Sequence, residues 1–126
     1  SEHTTCSVFF EEMVHDFDIK GDEYLQVDLN KGLEKIYPNQ ESDGVYYRYP
    51  GPAHLKRAST NELFIADPGI ALNGPAHLKA TMLGASQTFV IEEGEIKKGR
   101  CGDIYFVDFD YCRSRSRKVH MCVIGE

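Results

Sequence analysis

The chain has 126 residues, a length that fits one domain and leaves little room for two. Its composition is 41% hydrophobic and 27% charged, which is typical of a soluble globular protein and excludes a disordered chain. A net charge of −6 argues against a nucleic-acid-binding domain, and no apolar run is long enough to cross a bilayer.

The chain has four cysteines, at Cys6, Cys101, Cys112 and Cys122. Their density is too low for a disulfide scaffold, and no Cys-x-x-Cys pair is present. Cysteine usage therefore favours a reducing, intracellular setting. No motif in the sequence identifies a cofactor.

The first third of the chain is predicted to be helical. A first helix is indicated by apolar residues at helical spacing, namely Phe10, Met13, Val14 and Phe17. A second, shorter helix is indicated by Leu33, Ile36 and Tyr37, and Pro38 ends it. Alternatively, the alternation over residues 24–29 predicts a first strand there.

Residues 17–28 resemble an EF-hand loop, and the resemblance covers about residues 6–37 with the flanking helices. With Leu25 at the central hydrophobic position of the family, Asp18 is the first ligand position and Asp22 the fifth. The sequence departs from the family pattern at three positions: Lys20 stands at the third ligand position, Glu23 replaces the turn glycine, and Leu29 replaces the bidentate glutamate. The resemblance implies a helix–loop–helix unit and a Ca²⁺-linked regulatory role.

A polar segment at residues 39–44 is predicted to link the helical segment to a β portion, and residues 45–49 are a strand candidate that Pro50 ends. The hexapeptide Gly-Pro-Ala-His-Leu-Lys then occurs twice, at residues 51–56 and 74–79. We interpret it as two copies of one unit in which a Gly-Pro turn precedes a strand, with a second strand following near Phe64 and near Phe89. In such strands alternate residues face opposite sides.

The repeat predicts two equivalent pairs of outward-facing residues, His54 with Lys56 and His77 with Lys79. These pairs are candidate binding residues for an anion or for a partner surface. A neutral histidine can also ligate a metal or carry a proton. The alternative is ordinary solvent-facing decoration of a repeated strand.

The C-terminal segment predicts a hairpin. A turn at residues 99–102 leads into a strand at 103–111, and residues 118–124 return. With the loop centred on Arg115, Tyr111 pairs with Val119, Phe109 with Met121 and Val107 with Val123, which places apolar residues opposite each other.

The same register predicts a polar cluster on the opposite face, where Asp110 lies across from His120 and Asp108 from Cys122. Two carboxylates, an imidazole and a thiol are candidate ligands for a divalent metal, or an oriented histidine could activate the thiol. The alternative is an exposed sheet face on which Asp110 simply pairs with His120.

The loop of this hairpin carries the one concentrated positive patch of the chain. It is a candidate contact for phosphate or an acidic partner, because arginine forks match such groups, or else a solvated turn. The four residues are Arg113, Arg115, Arg117 and Lys118.

Together these patterns predict one α+β domain over residues 1–126. A helical segment at 6–38 packs on a β portion at 45–126, an antiparallel barrel or sandwich. Phosphate-loop and hydrolase motifs are absent, which favours a non-catalytic binding module that engages a protein or anionic partner. The alternatives are a small metal- or histidine-dependent hydrolase that uses the Asp108, Asp110, His120 and Cys122 face, and a Ca²⁺-linked module.

Overall fold

The structure, a computed structural model, describes residues 1–40 and 46–125. The long elements are strand β1 (Cys6–Glu12), helix α1 (Tyr24–Ile36), helix α4 (Gly74–Leu83) and strand β4 (Gly102–Asp108). Between α1 and α4 lie the short helices α2 (Pro52–Ala58) and α3 (Glu62–Ala66) and a 3₁₀ turn (Pro68–Ala71), and between α4 and β4 lie strands β2 (Ile91–Glu92) and β3 (Glu95–Ile96).

The described residues form an α+β fold with two small antiparallel sheets, one pairing β1 with β4 and the other pairing β2 with β3. The mixed α+β class predicted from the sequence is confirmed. The predicted barrel or sandwich is wrong, because neither two-stranded sheet closes on itself or packs as a layer of a larger β structure.

The main sheet joins the two ends of the chain. Its register runs from Cys6 opposite Asp108 to Glu12 opposite Gly102. Across the sheet, the rings of Phe9 and Tyr105 stack with centroids 5.5 Å apart. Such cross-strand aromatic pairs stabilise a sheet.

The predicted first helix is wrong, since residues 6–12 form β1 and residues 13–17 are irregular apart from a bridge at Phe17. Its β-branched and aromatic residues suit a strand once a partner is available, and β4 provides that partner from nearly one hundred residues away. The second predicted helix is present as α1, which also excludes the alternative strand at residues 24–29. Tyr37 and Pro38 follow its last turn.

The predicted strands in the duplicated hexapeptide are wrong as well, because both copies are helical. Pro52 opens α2 and Pro75 lies in the first turn of α4, where a proline's missing N–H costs nothing and its fixed φ suits a helix. The Ala, Leu and Lys that follow are good helix formers. Phe64 lies in α3 and Phe89 in an irregular stretch before β2, and residues 46–49 form no strand. Val45 lies outside the described residues.

The C-terminal hairpin does not form in its predicted register. The outgoing strand is present but ends at Asp108, and its partner is β1 rather than residues 118–124, which are irregular. The apolar pairs of Tyr111 with Val119 and of Phe109 with Met121 are therefore absent.

The core lies where α1 and α4 meet the end of β4. It contains four buried residues, Leu33, Ala76, Ala80 and Phe109, and Leu29, Leu83 and Val107 pack against them. The hydroxyl of Ser7 on β1 donates to the carbonyl oxygen of Ala80 at 3.0 Å, which holds α4 against the main sheet. This packing fixes the position of the first two turns of α4, and therefore of His77.

The segment that resembles an EF-hand loop is closed by its own hydrogen bonds. The Asp18 carboxylate accepts the main-chain N–H groups of Lys20 and Asp22, at 2.8 and 3.0 Å. Phe17 bridges to Glu23. The element before this turn is a strand, so the helix–loop–helix arrangement is absent.

No helix in the described part of the chain is both long and apolar enough to cross a membrane. All four cysteines are free thiols, with Cys6 buried, Cys112 half-buried and the other two exposed. An intracellular location stays a prediction from cysteine usage.

Candidate functional site

The two histidines of the duplicated hexapeptide lie on either side of one tyrosine. The Tyr49 hydroxyl is 3.1 Å from Nε2 of His54, and the two rings are 4.8 Å apart. The ring of His77 meets Tyr49 edge-on with centroids 5.8 Å apart. The fold thus brings the equivalent residues of α2 and α4 to a single place.

These three rings border a cavity of about 520 Å³. Its remaining lining residues are Tyr47, Arg48, Gly74 and Leu78. A Cβ atom on Gly74 would lie 3.1 Å from Cδ1 of Tyr49, so the glycine allows the tyrosine ring to pack closely on the start of α4.

The contact of His77 with the N-terminal segment selects the tautomer of its neutral ring. Its Nδ1 lies 3.3 Å from the Thr4 carbonyl oxygen, which can only accept, so Nδ1 carries the proton and the neutral ring has its lone pair on Nε2. Burial lowers the pKa of His77, and the positive charges of Arg115 and His54 lower it further, against the opposing effect of the Thr4 contact. The neutral form is therefore favoured near pH 7.

A second cavity of about 400 Å³ adjoins the first and shares Tyr49 and His54 with it. Arg57, Asn73 and Arg113 supply its polar groups, together with Thr60 and Asn61. Two buried polar atoms, Nε of Arg113 and Oδ1 of Asn73, have no hydrogen-bond partner within the described residues. Among those residues, no aspartate or glutamate lines either cavity.

The other two arginines of the predicted basic loop are held by carboxylates. Arg117 binds Asp108 through Nε at 2.5 Å and donates from Nη2 to the Thr5 hydroxyl at 3.1 Å. Arg115 binds the fully buried carboxylate of Asp110. Burial would raise the pKa of Asp108, but hydrogen bonds from Arg117 and Thr5 hold it below its usual value.

The remaining predicted binding residues are dispersed. Lys56 is exposed on α2, whereas Lys79 is buried, with Nζ 3.3 Å from Oδ1 of Asn39. The expectation that each lysine faces outward beside its histidine is wrong for Lys79, because the helical period puts it on the core side of α4. Lys118 lies near the N-terminus, where its N–H donates to Nε2 of His3.

The four predicted metal ligands are not brought together. Asp108 and Asp110 bind arginines, while His120 is exposed with Nε2 3.3 Å from a Glu2 carboxylate oxygen. The Cys122 thiol is exposed, with Sγ 4.0 Å from the carbonyl oxygen of the neighbouring Val123. Over residues 1–40 and 46–125, no three His, Cys, Asp or Glu side chains are placed to hold a metal ion.

A family model described as YjbQ, UPF0047 protein YjbQ-like, matches residues 1–126. The chain belongs to this family. The EF-hand resemblance is therefore wrong, since it covered only about residues 6–37, a quarter of the chain, and the YjbQ-like match covers all of it.

Known YjbQ-like proteins are similar to this chain over part of their length. The UPF0047 protein MJ1081 of Methanocaldococcus jannaschii is 35% identical over 54 residues, which are 43% of this chain and 38% of that protein. UPF0047 protein YugU of Bacillus subtilis is 39% identical over 49 residues, 39% of this chain and 37% of its own.

Among solved structures, that of a YjbQ/UPF0047 protein from Clostridium acetobutylicum, described as uncharacterised, is similar to this chain. It has a TM-score of 0.55 and 28% identity, over 89% of this chain and 63% of that one. The match thus spans less than two thirds of the length of each of these relatives.

Sequence reasoning found both histidines and Arg113 but missed Tyr49, Arg57 and Asn73. The missed residues flank the hexapeptide and differ between the two copies: Tyr49-Pro50 precedes the first and Leu72-Asn73 the second. A comparison of the residues that flank the two copies would have shown that each copy contributes different side chains to the cavities.

Proposed function

We propose that this YjbQ-like chain is a non-catalytic binding module for a small anionic ligand held in the two adjoining cavities. The observation that carries the proposal is the charge of their lining. Histidine and arginine side chains border both cavities, and no carboxylate of the described residues lines them, on a chain whose net charge is −6. In a protein this acidic, such a concentration of donors is a local feature suited to negative charge.

The unpartnered Nε of Arg113 supports the same proposal. A buried donor without a partner costs about 1–3 kcal/mol, and an anion would supply the missing acceptor for Nε of Arg113. The volumes, about 520 and 400 Å³, suit a small molecule rather than a protein segment. The apolar faces of Tyr49 and Leu78 would exclude water around the ligand.

The first test is sulfate and phosphate binding by titration calorimetry. Replacing Arg113 with glutamine should weaken binding about tenfold, because it removes a charged donor at the second cavity. The matched control is Arg100→Gln, an exposed arginine outside both cavities. Equal affinities in Arg113→Gln and Arg100→Gln would exclude Arg113 from the site, and no binding by the unmodified protein would end the proposal.

Sulfate affinity should also depend on pH. Because burial holds the pKa of His77 below the ordinary value of about 6.5, the ring gains its proton only in mildly acidic solution. An anion favours the protonated ring, so affinity should rise as the solution becomes more acidic. Sulfate keeps its charge across this range and isolates the effect of the protein.

His77→Gln should lose most of this pH-dependent gain, while His15→Gln, an exposed histidine remote from both cavities along the chain, should keep it. An unchanged pH profile in His77→Gln would assign the gain to other groups. Circular dichroism of each variant controls for folding.

The hydrolase alternative loses its geometric support, since Asp108, Asp110, His120 and Cys122 do not share a site. A protein partner stays a prediction and is compatible with a small-anion site, because an acidic side chain offers the same chemistry as a free carboxylate.

A further inference from the structure

The group that contacts His77 belongs to a tight turn just before β1. Thr4 and Thr5 are the central residues of this turn, which the Cys6 N–H closes by donating to the His3 carbonyl oxygen at 3.1 Å. The Thr4 carbonyl oxygen lies 3.3 Å from Nδ1 of His77 on α4. Because the peptide unit between Thr4 and Thr5 is planar, whatever fixes Thr5 also directs that oxygen.

The Thr5 side chain is buried between two charged groups. Its hydroxyl donates to Oδ1 of Asp108 at 3.0 Å and accepts from Nη2 of Arg117 at 3.1 Å. A carboxylate can only accept and a guanidinium can only donate, so the hydroxyl proton has one direction. Asp108 ends β4 and binds Nε of Arg117 directly. The three side chains therefore close a ring of hydrogen bonds.

This ring is shielded from solvent and stays charged at neutral pH. The Arg117 side chain is 9% exposed and Thr5 is 3% exposed, so little water competes for their hydrogen bonds. Burial would raise the pKa of Asp108, but hydrogen bonds from Arg117 and Thr5 hold it below its usual value. Oδ1 of Asp108 also accepts the main-chain N–H of Asp110 at 3.0 Å. The carboxylate is thus a fixed anchor for the turn.

The contact with Thr4 decides what His77 presents to the ligand cavity that it borders. With the proton on Nδ1, Nε2 of the neutral ring carries a lone pair and acts as an acceptor. An acceptor opposes an oxyanion and suits a ligand that offers a hydrogen-bond donor. Nε2 becomes a donor only when the ring gains a second proton.

We propose that the ion pair of Asp108 with Arg117 positions His77 and thereby sets its tautomer. The effect passes through the Thr5 hydroxyl and the Thr4 carbonyl oxygen. The inference rests on the proposed function in taking the two cavities as the ligand site. Asp108, Arg117 and Thr5 are positioning residues, since none of them lines either cavity. Arg117, which the sequence predicts as a direct contact for an anion, then acts on the site through other residues.

The first test is the tautomer of His77 in the full chain without ligand, measured from the ¹⁵N chemical shifts of its ring nitrogens at about pH 8, where the ring is neutral. In the unmodified protein Nδ1 should carry the proton. Thr5→Val keeps the shape of the side chain and removes its hydroxyl. The ratio of the Nδ1–H to the Nε2–H tautomer should then fall about tenfold, the effect of about one hydrogen bond. Thr5→Ser keeps a hydroxyl and should keep the ratio.

The pKa of His77 gives a second measurement. Burial lowers this pKa and the Thr4 contact opposes that effect. Thr5→Val and Asp108→Asn should therefore both lower the pKa of His77 in an NMR titration. The matched control for the charge is Asp103→Asn, a solvated carboxylate on the surface, which should leave the titration of His77 unchanged.

Thr4→Val is the matched control for the turn, because it removes an exposed hydroxyl and keeps the carbonyl oxygen. The inference is overturned if Nε2 carries the proton in the unmodified protein, before any variant is made. It is overturned equally if Thr5→Val has the tautomer ratio of Thr4→Val, or if His77 titrates in Asp108→Asn as in the unmodified chain. Because no ligand is present, a failure of sulfate and phosphate to bind would end the proposed function and leave this result standing.

Discussion

Replacing Asp110 with alanine is expected to lower the free energy of unfolding by about 3–5 kcal/mol. Its carboxylate is fully buried, binds Arg115, and lies 3.6 Å from Nη2 of Arg117. It also accepts the main-chain N–H of Cys112 at 3.2 Å. Removing it leaves guanidinium groups without their counter-charge in a poorly solvated place, and a buried charge without a partner is strongly unfavourable. Chemical denaturation monitored by circular dichroism measures the change.

Two further variants separate the charge from the packing. Asp110→Ala combined with Arg115→Met should recover part of the lost stability, because the uncompensated charge is removed together with its partner. Asp103→Asn is the surface control: its pair with Lys98 is solvated on both sides and should matter little. If Asp110→Ala and Asp103→Asn change the free energy of unfolding equally, the contacts of Asp110 with Arg115 and Arg117 do not stabilise the C-terminal loop.

Phe109→Ala should have a comparable effect, a loss of about 3–5 kcal/mol in unfolding free energy. The ring is 8% exposed and packs with Leu33 of α1 and with Ala76 and Ala80 of α4. Because the two alanines offer no side chain to fill the space, truncation leaves a cavity where both helices meet the sheet. The hydrogen bond from Phe109 N–H to Thr5 survives, so the loss measures packing alone.

The comparison for this variant is Ile19→Ala, whose side chain is fully exposed and should change stability by less than about 0.5 kcal/mol. Both are measured from the thermal midpoint and from urea denaturation. A Phe109→Ala protein as stable as Ile19→Ala would place the core elsewhere.

These two predictions depend on contacts that local sequence could not reveal. Asp110 was predicted to face His120 across a hairpin, and in the structure it faces arginines of its own loop. Phe109 is buried, but the residues that bury it come from α1 and α4 rather than from the predicted partner Met121. An alternating pattern predicts which face of a strand is buried, but it does not predict which elements pack against that face.

In the duplicated hexapeptide, too, the sequence predicted part of the arrangement and the tertiary structure decided the rest. Its repetition identified His54 and His77 as equivalent positions, and they do meet. Six residues are too few to distinguish a strand from the first turns of a helix, and a proline is common both in turns and in the first turn of a helix. Nothing in the sequence around Tyr49 indicates that its ring lies between the two histidines.

By itself, the sequence determined the α+β class, the helix near Leu33, the strand through residues 103–108 and the pair of equivalent histidines. Each follows from local propensity, short-range periodicity or identity between copies. Only the tertiary structure decided that residues 6–12 form a strand, that the repeat is helical, and that Arg115 and Arg117 bind carboxylates while Arg113 borders a cavity. The physical reason is sequence distance: β1 and β4 are separated by some ninety residues, and the free energy of their pairing appears only once the chain between them has folded.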